Sequence, residues 1–264
     1  MANENNFTNV KNRMQRTSEP IVGNNGFSDR RVRLSAKPAA KELVYGPREP
    51  WNILNPLWST GGLLFPYTPY INDMAAVNYE HFDPVHTNQP FAAFKNVAPK
   101  DIQIAGPFTA MNQDEATYCL AAIHFLRTVT KMYFGVGSEG VDKNFQDNSA
   151  ESVRLRGTPP PILLLNGYGT AIYHNVPVVV TNYTVELPQD VDYVRVDTSA
   201  YGKAVTDANS DTLQIVSRDI SAWVPTKFNI AVTVQVQNTP DRMRRHFNLN
   251  DFRTGRLVKR GGWV

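Results

Sequence analysis

Between residues 228 and 237 the chain alternates without a fault. Phe228, Ile230, Val232, Val234 and Val236 fall on one side, and Asn229, Ala231, Thr233, Gln235 and Gln237 on the other. Successive side chains of a strand point to opposite faces, so this spacing predicts a half-buried strand with one dry face and one polar face. A second alternation sets Val179, Thr181, Tyr183, Val185 and Leu187 against Val178, Val180, Asn182, Thr184 and Glu186. Ile102 and Ile104 predict a strand over 101–109, and Val194 and Val196 a short one after the second. Residues 51–100 (WNILNPLW, GGLLFPYTPYI, NQPFAAF) are rich in aromatics and proline. They read as extended segments crossing a larger sheet, with Pro66 and Pro69 interrupting any long strand.

One segment has helical period, roughly 113–133. Asn112 followed by Glu115 forms a capping box, Asp114 and Glu115 suit the positive end of the helix dipole, and Gly135 marks the stop. Ala116, Cys119, Ile123 and Leu126 make one apolar line, and Tyr118, Ala122, Phe125 and Val129 a second. Only Thr117, His124, Thr128 and Lys131 are left as a polar stripe, so the helix is expected to be mostly buried against a sheet. Many strands and one helix predict a mainly β fold: an antiparallel β-sandwich or partial barrel with one packed α-helix.

Three stretches lack a period. The first 50 residues, polar and basic, read as an arm that orders only against a partner or stays disordered. Residues 136–158 form a long polar loop, of a length usually reserved for function or disorder. At Thr239-Pro240 the β alternation gives way to a basic segment with spaced aromatics. The expected organisation is an arm over 1–55, a β domain over 56–240 and a docking tail over 241–264.

Charge sharpens this division. Residues 1–50 carry nine Lys/Arg and five Asp/Glu, residues 51–240 eleven and seventeen, residues 241–264 seven and two. An acidic body thus has two basic ends, suited to acidic protein neighbours or to nucleic acid. With 42% hydrophobic and 19% charged residues, the 264-residue chain has globular composition. It has no apolar run long enough to span a membrane, and its first residues lack the apolar core of a signal peptide. A single cysteine fits a reducing compartment.

Candidate chemistry is thin. His81, Asp83 and His86 are metal-ligand types, but Pro84 breaks any helix that would align the histidines and nothing completes a tetrahedral shell. They read as a solvated surface loop. Gly135, Gly137 and Gly140 match a dinucleotide-binding spacing, but they follow a helix and open a loop, the reverse of the order that motif requires. Cys119 sits on the apolar line of the helix, where a thiol is core. His124 reads as solvated or capping. There is no nucleophile elbow and no phosphate-binding loop, so we expect no catalytic, cofactor or metal site, and no enzyme.

The tail offers a different kind of site. Arg242, Arg244, Arg245, Arg253, Arg256, Lys259 and Arg260 are interleaved with Phe247, Leu249, Phe252, Leu257 and Trp263. Arginine and aromatics mark protein interfaces. Arg242, Arg244, Arg245, Phe247, Phe252, Arg253, Arg256 and Trp263 are therefore the candidate partner interface, docking outside the subunit's own core. Phosphate neutralisation on nucleic acid is the rival use of the same charges.

Over residues 62–257 the chain resembles the tube-like baseplate proteins of contractile-tailed bacteriophages, among them the tail-tube initiator or junction protein on which the tube polymerises. The resemblance is carried by LLFPYTPYI, IQIAGPFTAMNQDEATYCLAAIHFLRTVTKMYFG, GTPPPILLLNGYG, NVPVVVTNYTVELPQDVDYV and FNIAVTVQVQNTPDRMRRHFNLNDFRTGRL. These are packing motifs. The resemblance implies a virion protein assembled in the host cytoplasm. Six copies would form a ring through which genomic DNA passes, with the tail tube protein and baseplate hub proteins as partners. It implies 136–158 as a stacking loop. It makes Asn229, Thr233, Gln235 and Gln237, with Asn182, Thr184 and Glu186, the candidate lumen-facing residues. The major tube subunit and a β-barrel nucleic-acid-binding module are the alternatives.

Overall fold

The computed structural model describes residues 30–46, 48, 52–133, 157–196, 204–206, 213–215 and 222–264. Its strands are β1 (Arg33–Ala36), β2 (Leu63–Leu64), β3 (Tyr70–Met74), β4 (Val77–Phe82), β5 (Phe91–Val97), β6 (Asp101–Thr109), β7 (Leu163–Gly167), β8 (Tyr173–Glu186), β9 (Tyr193–Val196), β10 (Ala204–Thr206), β11 (Leu213–Ile215), β12 (Ala222–Pro225) and β13 (Lys227–Val236). The helices are α1 (Lys41–Tyr45), α2 (Asn55–Thr60), α3 (Gln113–Val129), α4 (Pro240–His246), α5 (Leu249–Arg253) and α6 (Arg256–Arg260). Seven strands form one antiparallel sheet in the order β2-β1-β7-β8-β13-β6-β3, and three two-stranded ribbons stand beside it. The fold is mainly β, as the alternation predicts, with no closed barrel.

The sheet is curled, and chain length alone requires it. The edge strands β2 and β3 are joined by only five residues, 65–69. Six chain steps reach about 20 Å at most, whereas the edges of a flat seven-stranded sheet lie roughly 29 Å apart. Side chains tie the curl. Tyr168 donates its hydroxyl to the carbonyl of Pro69 at 3.2 Å, and Tyr173 donates to Asp73 Oδ2 at 3.1 Å. Lys100 Nζ holds the other oxygen of Asp73 at 2.9 Å. β2 and β3 do not pair with each other, so the barrel stays open.

β13 is the spine. Phe228, Ile230, Val232 and Val234 are buried, and the strand pairs with β6 on one side and β8 on the other. On β8 the buried set changes phase along the strand: Val178 and Val180 are buried, then Tyr183 and Val185 are half-buried. Thr181 is the cause. It sits in a bulge where the register passes from Thr233↔Asn182 to Val234↔Val180, and its hydroxyl donates to the Thr233 carbonyl at 3.1 Å. One extra residue moves every later side chain to the opposite face.

α3 fills the inside of the curl. Asn112 caps it by accepting from the Glu115 N–H at 2.9 Å, and Glu115 Oε2 accepts from the Met111 N–H, one residue earlier than the reciprocal bond of a capping box. Both apolar lines are buried apart from half-exposed Ile123. Tyr118 pairs with both backbone groups of Leu64: its hydroxyl donates to the carbonyl at 2.7 Å and accepts from the N–H at 2.8 Å. A side chain thus completes the hydrogen bonding of an edge strand. Past the bulged ladder, β9 and β12 continue the β8–β13 pair as a ribbon, with Val196 and Val224 buried.

Three expectations are corrected. α3 ends at Val129 rather than near 133, because Tyr133 leaves to form a β-bridge with Thr158, donating to its carbonyl at 3.0 Å and accepting from the Gly157 N–H at 2.7 Å. Thr117 is buried, not on the polar stripe, and its hydroxyl is satisfied by the Gln113 carbonyl at 2.8 Å. The arm does not extend to residue 55. Val32, just before β1, and Leu34 and Ala36 within it are buried, and Val44, Tyr45 and Leu54 join the core. Their alternation spans three residues amid Arg30, Arg31, Arg33 and Lys37, too short a signal to stand out.

Val232→Asp places a carboxylate in the dry face of the spine and should cost about 3–4 kcal/mol in chemical denaturation. Thr233→Asp, one residue on but facing outward, should stay within about 1 kcal/mol of the parent. Equal losses would contradict the assignment of the two faces.

Candidate functional site

The sheet face turned away from the core is continuous across four strands and mixes uncharged polar side chains with small ones. Asn72, Gln103, Thr233 and Asn182 lie in one row of register across β3, β6, β13 and β8. Tyr70, Ala105, Ala231 and Thr184 make the next row, and Pro107, Asn229 and Glu186 the one beyond. Gln235 donates to Asp101 at 3.1 Å on the same face. The structure therefore brings Asn229, Thr233 and Gln235 together with Asn182, Thr184 and Glu186. Gln237, just past β13, is exposed and donates its N–H to the Pro177 carbonyl at 2.8 Å. The charges among these strand positions are Asp101 and Glu186, with Lys227 at the rim. Such a face offers a polyanion almost no cation to neutralise its phosphates.

A second surface leaves the same sheet. β4 and β5 pair only with each other, and every residue of both strands is exposed. The hairpin is amphipathic. Tyr79 and Phe94 pack edge to face at 6.1 Å, beside the pair Val77↔Val97. The other face carries an Asn78–Asn96 hydrogen bond of 2.9 Å and the Lys95–Glu80 ion pair at 3.6 Å, and is apolar only at the tip, where Phe82 lies opposite Phe91. An isolated two-stranded hairpin is marginal in water, and an exposed apolar strip of this size marks a contact surface. The bulge between Asn78 and Tyr79 breaks the alternation, which hides this hairpin in the sequence. His81 lies in β4 and His86 in the turn beyond it, both exposed.

The tail is the third surface, and here the expectation needs correction. Residues 240–260 fold into α4, α5 and α6, capped by Thr239 and Asn248. The end of the chain returns to its own sheet. Gly262 donates to the His174 carbonyl at 2.6 Å, and His174 Nδ1 meets the Lys259 carbonyl at 3.0 Å. Trp263 and Leu257 are buried, so Trp263 is not an anchor held out for a partner. Arg242 lies over the Trp263 ring at 5.1 Å and donates to the Gly261 carbonyl at 2.7 Å. Gly262, at φ 87, leaves the space that this guanidinium occupies. Phe247 packs on Trp263 at 5.4 Å and on Phe252 at 6.1 Å.

These helices enclose a cavity of about 450 Å³, lined by Arg242, Arg245, Phe247 and Trp263, with His246, Asn248, Asp251, Leu257, Arg260 and Gly261. Arg244, Arg253 and Arg256 are exposed and do not line it. Arg245 pairs with Asp241 at 2.7 Å and Arg256 with Asp251 at 3.7 Å, both at exposed positions of low energetic weight. The glycine series Gly135–Gly140 and the loop over 136–156 lie outside the described residues.

No three His, Cys, Asp or Glu side chains converge on a metal position among the described residues. Burial raises the Cys119 pKa well above the ordinary thiol range, with nearby Glu115 adding to the effect; its Sγ lies 3.7 Å from the Thr109 carbonyl. Partial burial, and then Arg127, lower the pKa of His124. No helix of the described chain is long and apolar enough to cross a membrane. A scan against protein-family models and a search of the curated proteins each found no match to this chain.

Two outcomes follow. Tyr79→Ser with Phe94→Ser should leave the thermal midpoint of the isolated chain nearly unchanged while lowering its binding of a dye for exposed apolar surface, measured by fluorescence; unfolding would place the hairpin in the subunit's own core. Burial also raises the pKa values of Tyr118 and Tyr45, the latter to about 12. The unfolded chain loses the Cys119 proton as pH rises past 9.0 while the native chain keeps it, so stability is full below that pH and falls above it. Denaturant midpoints measured against pH should decline from that point, and Cys119→Ala should delay the onset toward the tyrosine range.

Proposed function

We propose that this chain is a structural virion protein. Six copies form a ring in the baseplate of a contractile-tailed phage, initiate or cap the tail tube, and line the channel for DNA. The observation that carries this reading is the four-stranded outer face of β3, β6, β13 and β8. It is continuous, carries few charges, mixes Asn72, Gln103, Asn182, Asn229 and Thr233 with small residues such as Ala105 and Ala231, and its backbone is already satisfied by the ladder. A wall of this kind lets a polyanion slide, because it releases few counterions on contact. A DNA-binding module needs the opposite, a cationic stripe on the face presented to the phosphates.

The β4–β5 hairpin supports the same reading, since its apolar strip is suited to a neighbouring subunit. The mechanism is templating: a rigid ring presents matched surfaces, and growth of the tube begins there. The partners on this reading are the ring's own copies, the tail tube protein and the baseplate hub proteins, and no catalytic step is involved. The major tube subunit is the second reading, favoured by the two-ended charge pattern taken up below.

Asn229→Arg with Thr233→Arg tests the channel. Particles should assemble with normal appearance in electron micrographs, while DNA delivery, followed by release of labelled genome into cells, should slow markedly as phosphates meet new cations. Failure of the variant to assemble would mean that this face is buried against protein and lines no channel.

A further inference from the structure

The cavity beneath α4–α6 has a chemical counterpart elsewhere on the same chain. Its lining includes exposed Arg245 and Arg260, the aromatic pair Phe247 and Trp263, and one carboxylate, Asp251, against three arginines. At the far end of β8 the segment Glu186–Tyr193 reads ELPQDVDY, with three carboxylates and no cation. Its apolar residues Leu187 and Tyr193 are each 58% exposed. One site is basic with an aromatic floor, and the other is acidic with protruding apolar side chains.

Their placement decides what they can do. The cavity is anchored at His174, the second residue of β8, and the acidic loop leaves at Glu186, its last. A 14-residue strand separates them by roughly 40 Å. The loop cannot reach the cavity of its own chain. A second copy displaced along the strand direction brings one onto the other.

We propose that the cavity receives the Glu186–Tyr193 loop of a second copy of this chain, so that copies stack head to tail along β8. The contact is heterologous, with different patches on its two sides, and such contacts propagate instead of closing on themselves. Opposite charges set the register and the rate of association, and the exposed ring of Phe247, backed by buried Trp263, supplies the apolar contact for Leu187 or Tyr193. Arg242 is already held by Trp263 and Gly261, so it braces the cavity; Arg260 meets the carboxylates, and Arg245 joins it by exchanging its exposed ion pair with Asp241 for one with the incoming loop. The inference goes beyond the ring reading and does not need it, because a lone subunit has both patches.

The test uses the full-length chain, with analytical ultracentrifugation and negative-stain microscopy as readouts at low and high salt. The parent chain should form stacks that shorten as salt rises. Arg245→Glu with Arg260→Glu, and separately Asp190→Lys with Asp192→Lys, should each weaken stacking by about tenfold or more while circular dichroism and thermal midpoints stay at parent values. The chain carrying all four changes reverses both patches and should stack again. Mixing the two double variants should restore growth as alternating stacks, since the intact loop of one meets the intact cavity of the other and the reversed loop meets the reversed cavity. Rings that form but fail to stack would overturn this contact and leave the ring reading standing; stacking without rings would do the reverse. Double variants that stack like the parent, or a four-change chain that stays unstacked, would overturn the proposal. Short duplex DNA bound by the parent and lost only in the arginine variant, without self-association, would assign the cavity to nucleic acid instead.

Discussion

Strand β13 imposes the constraint on which the rest of the molecule depends. Both of its edges are paired, so its backbone groups are satisfied on each side. Its side chains can then be divided between two environments: Phe228, Ile230, Val232 and Val234 inward, Asn229, Thr233 and Gln235 outward. Burial of the inner set against α3 anchors the sheet. The outer set is held flat and polar because it lies on the same backbone. The bulge at Thr181 keeps β8 in phase with both demands, moving Asn182, Thr184 and Glu186 onto the outer face.

The curl follows from a second economy of chain. Five residues between β2 and β3 draw the sheet edges toward each other, and the Tyr118 hydroxyl then completes the backbone bonding of Leu64. Two features do not belong to this closed arrangement. The β4–β5 hairpin leaves the sheet beside Asp101, and the C-terminal helices sit at His174, at the same end. Leu187, Tyr193 and Trp223, all exposed, lie toward the opposite end, near Glu186 and Pro225. A subunit whose two ends differ in this way is suited to an axial arrangement. The same polarity distinguishes a lone capping ring, with one end engaged by a different protein, from a repeating subunit that meets copies of itself at both.

The alternation of 228–237 and the Asn112–Glu115 cap were legible in the sequence because each signal is local and complete. The polar outer face followed from them, since period-2 spacing assigns both faces at once. β1 was not legible: three alternating residues among arginines are indistinguishable from a basic arm until Leu64 and Leu165 are seen to flank them. The hairpin was hidden by its own bulge at Lys95, which puts Phe94 and Tyr79 on one face out of step with the linear pattern. The tail's basic and aromatic residues stand out in the sequence as a group, but their packing was not readable. Burial of Trp263 depends on Gly261 and Gly262, both at positive φ, turning the chain against His174. That is a contact across 88 residues of sequence, from 174 to 262.

The central claim is that the outer face of β13 and its neighbours faces a channel. The most direct measurement is a cryo-electron microscopy reconstruction of the particle that contains this chain, with the chain's density assigned. The account predicts six copies around an axial channel, with Asn182, Asn229 and Thr233 on the channel wall and each β4–β5 hairpin seated on a neighbouring subunit. A chain found outside any ring, or a ring in which those three residues are packed against another protein, would contradict it.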